Sequence, residues 1–104
     1  MTLQLLLIFA SLLHSSAIPA NVTPRQLLAE GRVDDAVRVL QQQVSLHPAD
    51  AESFNLLCRA YFMADDWDPA LEACQRAASL APQSSMYQLW LGRVYGEKAD
   101  HSSI

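Results

Sequence analysis

The two cysteines, Cys58 and Cys74, are the residues whose types and spacing most directly suggest chemistry. Both fall in segments with helical apolar spacing, on either side of a turn near Asp66. Counted from that turn, the cysteines lie at nearly the same height and point inward, so an oxidising compartment would allow one disulfide between them. The alternative is that each is a small buried apolar side chain, because facing core positions are often too far apart or badly angled for bonding.

The three histidines form no catalytic pattern. His14 lies in an apolar N-terminal segment, His47 ends a helical pattern and His101 lies in the C-terminal tail. None of them pairs with an acid or a cysteine on one helix face. Cys58 and Cys74 also lack a further ligand at the intervals that zinc sites use. The sequence therefore predicts no enzymatic activity, no metal site and no cofactor.

The charged residues argue against a nucleic-acid partner. The chain has 7 Lys+Arg against 11 Asp+Glu, a formal net charge of −4, and its basic residues are dispersed along the helices. Binding to phosphates requires a basic stripe, which is missing here. The acidic cluster of Asp65, Asp66 and Asp68 does not follow the spacing of an EF-hand and is interpreted as a helix cap.

Three arginines, Arg25, Arg59 and Arg93, are equally spaced along the chain. A guanidinium group binds a carboxylate through two parallel hydrogen bonds. A row of arginines on one surface would therefore suit an acidic ligand or a C-terminal carboxylate. The alternative is that these are ordinary solvated arginines, which are common on exposed helix faces.

The N-terminus forms a separate segment. Residues 3–13 contain nine apolar residues, and no Lys, Arg, Asp or Glu precedes Arg25. This stretch and the small residues after it resemble a secretory signal peptide, with cleavage after Ala17 or Ala20. The alternatives are an uncleaved membrane anchor or a buried core helix, because the stretch is short for a membrane span. Residues 1–20 are thus predicted to be a signal peptide or hydrophobic anchor, and the protein to be exported, periplasmic or secreted, or else membrane-anchored.

The rest of the chain is predicted to be helical, with short breaks and no strand of period 2. Thr23 and Gln26 form a capping box, and with Pro24 in the first turn they predict that a helix starts near Pro24. The predicted breaks are at 31–32, 47–50, 65–69 and 81–84, with caps at Asp50 and Asp66 and a last helix from Ser84 or Ser85 to about Glu97.

The helical pattern repeats along the chain. One interval, the repeat period, separates Ala36 from Ala70, Pro48 from Pro82 and Tyr61 from Tyr95. Two helices in a period of about 34 residues resemble the tetratricopeptide repeat. The Trp, Leu, Gly, Tyr, Ala, Phe and Pro places of that motif are taken by Phe54, Leu57, Cys58, Tyr61, Ala70, Cys74 and Pro82.

The resemblance implies an all-α fold of helix-turn-helix repeats stacked as a short right-handed solenoid. Residues 21–104 would be the repeat domain, with a partial repeat at 24–48, a full repeat at 51–84 and a partial repeat at 85–98.

The resemblance also implies a function. In this family the first helices of successive pairs line a concave groove that usually receives peptides or partner domains. The residues implied to bind a partner there are Arg25, Glu52, Asn55, Arg59, Phe62, Met86, Leu89 and Arg93. Partial burial against a neighbouring helix would also explain the apolar members of this set, and the Asn and Lys set of a carboxylate clamp is absent.

The sequence therefore predicts a non-enzymatic scaffold that binds a peptide or partner protein. The chain is interpreted as the N-terminal part of a longer repeat array, and the alternative is a truncated fragment with no independent activity. Apolar residues on the last helix, including Leu89 and Trp90, have no following helix to cover them, which predicts self-association.

Overall fold

The computed structural model describes Ile18 and residues 21–102. Apart from Ile18, the predicted signal peptide or anchor at residues 1–20 lies outside the described residues. The described part contains five helices: α1 (Pro24–Ala29), α2 (Val33–Leu46), α3 (Ala51–Met63), α4 (Trp67–Leu80) and α5 (Ser85–Ser102). It contains no strand, so the predicted all-α fold is confirmed. Among these residues, no helix has both the length and the hydropathy to cross a membrane.

The first helix starts where the sequence predicts. The Thr23 hydroxyl accepts a hydrogen bond from the backbone N–H of Gln26 at 3.2 Å. The Gln26 side chain in turn accepts one from the backbone N–H of Thr23 at 2.8 Å. These two reciprocal bonds satisfy N–H groups that have no partner within the helix, and they confirm the predicted capping box of α1.

The two predicted aspartate caps differ in their bonds. Asp50 caps α3 by accepting hydrogen bonds from the backbone N–H of Ser53 at 3.3 Å and from its hydroxyl at 2.7 Å. Because these bonds favour the ionised carboxylate, chiefly the one from the hydroxyl, the pKa of Asp50 is lowered. Asp66 occupies the N-cap position of α4, but its side chain makes no capping hydrogen bond, which corrects the prediction. Its charge still lies at the end of the helix where the dipole favours an anion.

The turn within each of the two helix pairs, α1–α2 and α3–α4, uses one residue in the left-handed conformation. Gly31 has φ 74° between α1 and α2, and Asp65, one repeat period later, has φ 56° between α3 and α4. Glycine adopts this conformation freely and aspartate tolerates it. The next equivalent residue is Ala99, whose Cβ disfavours it, and α5 continues through this position to Ser102. The prediction that the last helix ends near Glu97 is therefore wrong.

Small side chains fill the places where paired helices approach closely. Ala36 and Ala70, which occupy the same place in successive units, are both fully buried. Leu27, Leu40 and Val94 are the largest side chains that the packed helices bury completely. Consecutive helices pack against each other along the chain, and the contact between α3 and α4 is the most extensive. This arrangement is the one expected of stacked helix pairs.

One hydrogen bond between successive units recurs at the repeat period. The side-chain amide of Gln41 in α2 donates to the hydroxyl of Tyr61 in α3, with an N–O distance of 2.6 Å. Gln75 in α4 donates to Tyr95 in α5 at 2.9 Å. Each bond joins the second helix of one unit to the first helix of the next, so it fixes the stacking of neighbouring units.

Candidate functional site

The first helices of successive pairs form one wall. Within the described residues, α3 contacts both α1 and α5, whereas α2 and α4, the second helices of the complete pairs, do not contact each other. The stack is therefore closer together on the side of the first helices and more open on the side of the second helices. We call the surface of α1, α3 and α5 the inner wall, and it carries the positions predicted to bind a partner.

A cleft of about 240 Å³ lies on the inner wall between α1 and α3. Its lining residues are Arg25, Leu28, Ala29, Leu56, Arg59 and Met63. Leu28 and Leu56 are buried, whereas Met63 is 50% exposed, which is unusual for such a large apolar side chain. The cleft thus combines an apolar surface with two arginines, in a shape that a side chain of another polypeptide can enter.

The first predicted arginine is already paired within the wall. Arg25 and Glu52 form an ion pair, and the Nε of Arg25 donates to Oε1 of Glu52 at 3.0 Å. The two side chains are 61% and 54% exposed, so the pair adds little to stability and can exchange partners at low cost.

The other two arginines share an aromatic ring instead of a carboxylate. The guanidinium carbon of Arg59 lies 5.2 Å from the ring centroid of Trp90, and that of Arg93 lies 4.7 Å from it. These are cation–π contacts. Neither arginine has a carboxylate within ion-pair distance in the described part of the chain. Because Arg59 also lines the cleft, the arginine–tryptophan cluster and the cleft form one continuous surface.

Phe62 serves the packing of the wall. Its ring meets two tryptophans at steep angles, with centroid distances of 5.3 Å to Trp67 and 5.5 Å to Trp90. Trp67 in turn lies 5.1 Å from the ring of His101. These ring contacts agree with the alternative that Phe62 is a packing residue, and they join α3 to α4 and to α5.

The remaining predicted wall residues differ in exposure. Met86 and Leu89 on α5 are 52% and 53% exposed, and either can touch a partner. Asn55 is only 2% exposed, which corrects its assignment to the binding surface. The reason is the stack itself, because Asn55 lies on α3 between neighbouring helices, whereas Leu89 occupies the equivalent position on α5. The Oδ1 of Asn55 has no hydrogen-bond partner among the described residues.

The two cysteines are joined. A disulfide connects Cys58 in α3 to Cys74 in α4, with a Cα–Cα distance of 5.2 Å, and both residues are fully buried. The bond crosslinks the middle helix pair behind the inner wall. It therefore supports the helix that carries Arg59 and Phe62, and it is not itself accessible to a partner.

Sequence reasoning missed two contributors to this site. Trp90 was seen only as an uncovered apolar residue of the last helix, although the neighbouring Arg93 and the repeat period could have signalled its role. Met63 occupies a position that the repeat motif does not specify, so the motif gives no signal for it. Gln41 and Gln75 are also separated by the repeat period, as are Tyr61 and Tyr95. This shared spacing is the signal from which the recurring Gln–Tyr bond could have been predicted.

Other surfaces are distinct from the inner wall. A larger cleft of about 490 Å³ lies between α2 and α4, and its lining includes Gln41, Phe54, Tyr61 and Arg76. Arg76 stacks over the ring of Phe54 at 5.8 Å. No group of three or more His, Cys, Asp or Glu side chains in the described residues is arranged to hold a metal ion.

Comparison with known proteins agrees with this geometry. A family model described as tetratricopeptide repeat matches residues 27–93, which includes α2, α3 and α4 in full, the last half of α1 and the first half of α5. No curated protein matches the chain at a significant level. The match covers more than half of the chain, and the period, the paired helices and the small residues at their contacts all agree with it. The chain therefore belongs to the tetratricopeptide repeat family.

Proposed function

We propose that this protein is a non-enzymatic scaffold that binds a peptide or partner protein along its inner wall. Tetratricopeptide repeats are protein-interaction modules, and the family is typically non-enzymatic. The observation that carries the proposal is the cleft between α1 and α3, where Met63 is half exposed beside two arginines. Exposed large apolar side chains next to arginine are typical of interaction surfaces.

The proposed place of action is an oxidising compartment that the protein reaches by export. Two features support this proposal: the apolar N-terminal segment and the buried disulfide between Cys58 and Cys74. Cleavage after Ala17 would retain Ile18, which packs against the hydrophobic core. N-terminal sequencing of protein from its host would test this, because a start at Ile18 or Asn21 indicates a cleaved signal and an intact Met1 indicates an anchor.

Photo-crosslinking tests the binding surface. A benzophenone amino acid placed at Met63 should crosslink a discrete polypeptide in an extract of the native compartment, and excess unlabelled protein should compete. The matched control is the same substitution at Leu46, which is 68% exposed but lies at the end of α2, away from the inner wall. Equal crosslinking at both positions would contradict a specific surface. No crosslink at either would favour the alternative of a fragment without independent activity.

A further inference from the structure

Two of the three arginines on the inner wall have no carboxylate partner within the described part of the chain. Of the three arginines on this wall, only Arg25 has a described carboxylate partner, Glu52. Arg59 and Arg93 face a tryptophan ring, which attracts cations but carries no charge. One turn beyond Arg93, Glu97 lies 3.8 Å from His101 instead. The described wall therefore presents two arginines without a carboxylate in direct contact, on a protein whose formal net charge is −4.

The arrangement of these two charges suits a carboxylate. Both guanidinium carbons lie within about 5 Å of the same ring centroid, so they are no more than about 10 Å apart, and the side chains of both arginines reach the same point of the wall. A carboxylate approaching this point can accept charge-assisted hydrogen bonds from both arginines. It would leave the stacking on Trp90 in place.

The neighbouring cleft adds a second requirement for a bound peptide, namely an apolar side chain at a fixed distance from the carboxylate. It lies between α1 and α3, whereas the arginine–tryptophan cluster lies between α3 and α5. Adjacent packed helices are roughly 9 Å apart. An extended peptide covers this distance in about three residues. A peptide crossing the wall can therefore place an apolar side chain in the cleft and a carboxylate at the cluster two or three positions away.

We propose that the inner wall selects an extended acidic peptide segment, with a large apolar side chain in the Leu28–Leu56–Met63 cleft and an Asp or Glu bridging Arg59 and Arg93. This inference rests on the proposed function and names the partner class of the same surface. We assign the carboxylates to side chains within the segment, because the exposed Met86 and Leu89 on α5 offer further apolar contacts to residues on either side of the acidic one.

A peptide display selection on the immobilised full chain tests the proposal. The selected sequences should be enriched in Asp or Glu two or three positions from Leu, Ile, Met or Phe. Enrichment of apolar or basic peptides without acidic residues would overturn the acidic specificity while leaving the proposed function intact. The absence of any enriched sequence would contradict both. A selected peptide should bind equally as a free acid and as an amide, and a strict need for the free carboxyl terminus would overturn the assignment to side chains.

Paired arginine variants locate the specificity. In Arg59→Gln with Arg93→Gln, the selected acidic peptide should bind about tenfold more weakly, and the salt dependence of its Kd should flatten. The matched control is Arg76→Gln, which removes an arginine stacked on Phe54 in the other cleft and should change the Kd less than about twofold. Circular dichroism melting of each variant separates lost binding from lost folding. Unchanged binding by the folded double variant would overturn the proposal.

Discussion

The middle helix pair and the last helix follow the same repeat pattern but differ in what covers them. Cys58 in α3 is fully buried, whereas Gly92, one repeat period later in α5, is exposed. Asn55 and Leu89 are also equivalent, yet the polar residue is 2% exposed and the apolar one 53% exposed. α3 has a first helix on each side, whereas α5 meets only one in the described chain. Burial at a repeat position is therefore set by neighbouring helices and not by residue type.

The far end of α5 is held in a way that the middle pair does not use. Because this helix continues through Ala99, its last turns reach the start of α4. Lys98 forms an ion pair with Asp68 at 2.9 Å, and His101 lies against Trp67. These contacts hold the end of α5 against the previous unit, but they leave the outward face around Leu89 uncovered.

The largest expected loss of stability comes from truncating a leucine that has equivalent positions in α3 and α5. Leu57 in α3 is 6% exposed, and its equivalent Leu91 in α5 is partly buried. Leu57→Ala should lower the free energy of unfolding by about 2–5 kcal/mol, because it removes apolar contacts and leaves a cavity. Leu91→Ala should cost less than about half as much, because Leu91 is only partly buried. Urea unfolding followed by circular dichroism measures both, and equal costs would show that α5 is as well covered as α3.

The disulfide should be the next largest contribution to the middle pair. Replacing Cys58 and Cys74 together by alanine should lower the free energy of unfolding by about 3 kcal/mol, because the bond restricts the unfolded chain. Comparing oxidised and reduced wild-type protein in the same urea series isolates the bond from the change in packing. If reduction lowers stability by less than about 1 kcal/mol, the two thiols act mainly as packed apolar groups.

The N-terminal caps of α3 and α5 should differ in how their contribution to stability depends on pH. Asp50 caps α3, and at the equivalent place in the next unit the Ser84 hydroxyl accepts from the backbone N–H of Tyr87 at 3.3 Å at the start of α5. Replacing either cap by alanine should cost about 1 kcal/mol at pH 7. Only the cost at Asp50 should depend on pH. Its folded pKa is lowered, so its stabilisation is complete above the unfolded pKa and is lost as pH falls through the folded pKa.

Urea unfolding of the two cap variants at pH 7 and at about pH 3 tests this difference. The cost of Asp50→Ala should shrink on acidification relative to wild type, while the cost of Ser84→Ala stays constant. Parallel behaviour of both variants would mean that the charge of Asp50 does not contribute.

The recurring bond between units should matter more in the middle. Tyr61→Phe removes the hydroxyl that accepts from Gln41 and should cost about 0.5–1.5 kcal/mol. Tyr95→Phe removes the equivalent acceptor of Gln75, but Tyr95 is 49% exposed, so water replaces the lost bond and the cost should be smaller. Thermal melting of both variants measures the difference, and a larger cost at Tyr95 would reverse the comparison.

The smallest effect on stability should accompany a change in association. Leu89→Asn introduces on the uncovered face of α5 the amino acid that the middle unit has at the equivalent position, Asn55. It should change the free energy of unfolding by less than about 0.5 kcal/mol. It should also reduce self-association in sedimentation velocity, whereas Leu46→Asn on α2 should not. A wild-type chain that stays monomeric at all concentrations would show that the face of α5 does not drive association.

Much of the fold could be predicted because the repeat signals are local or periodic. The capping box at Thr23, the cap at Asp50 and the turn at Gly31 depend on residues a few positions apart. The interval between Ala36 and Ala70 indicated how the helices pair. The end of α5 was not predicted correctly, because a helix stop depends on whether the turn position accepts the left-handed conformation, as Gly31 and Asp65 do and Ala99 does not.

The candidate site was only partly predictable, since exposure and pairing depend on helices distant in sequence. The period placed Arg25, Arg59 and Arg93 on one wall, but nothing local indicated that the first pairs with Glu52 and the other two meet Trp90.

Local sequence was sufficient for the helix starts, the turns and the period, because backbone conformation responds to neighbouring residues. Only the stacked structure decided that Asn55 is buried, that Leu89 is exposed and that Cys58 lies close enough to Cys74 for a bond. The physical reason is that a helix buries a side chain only where another helix lies across it. In a stacked array that neighbour is supplied by the next unit, and the position within the repeat cannot indicate whether it is present.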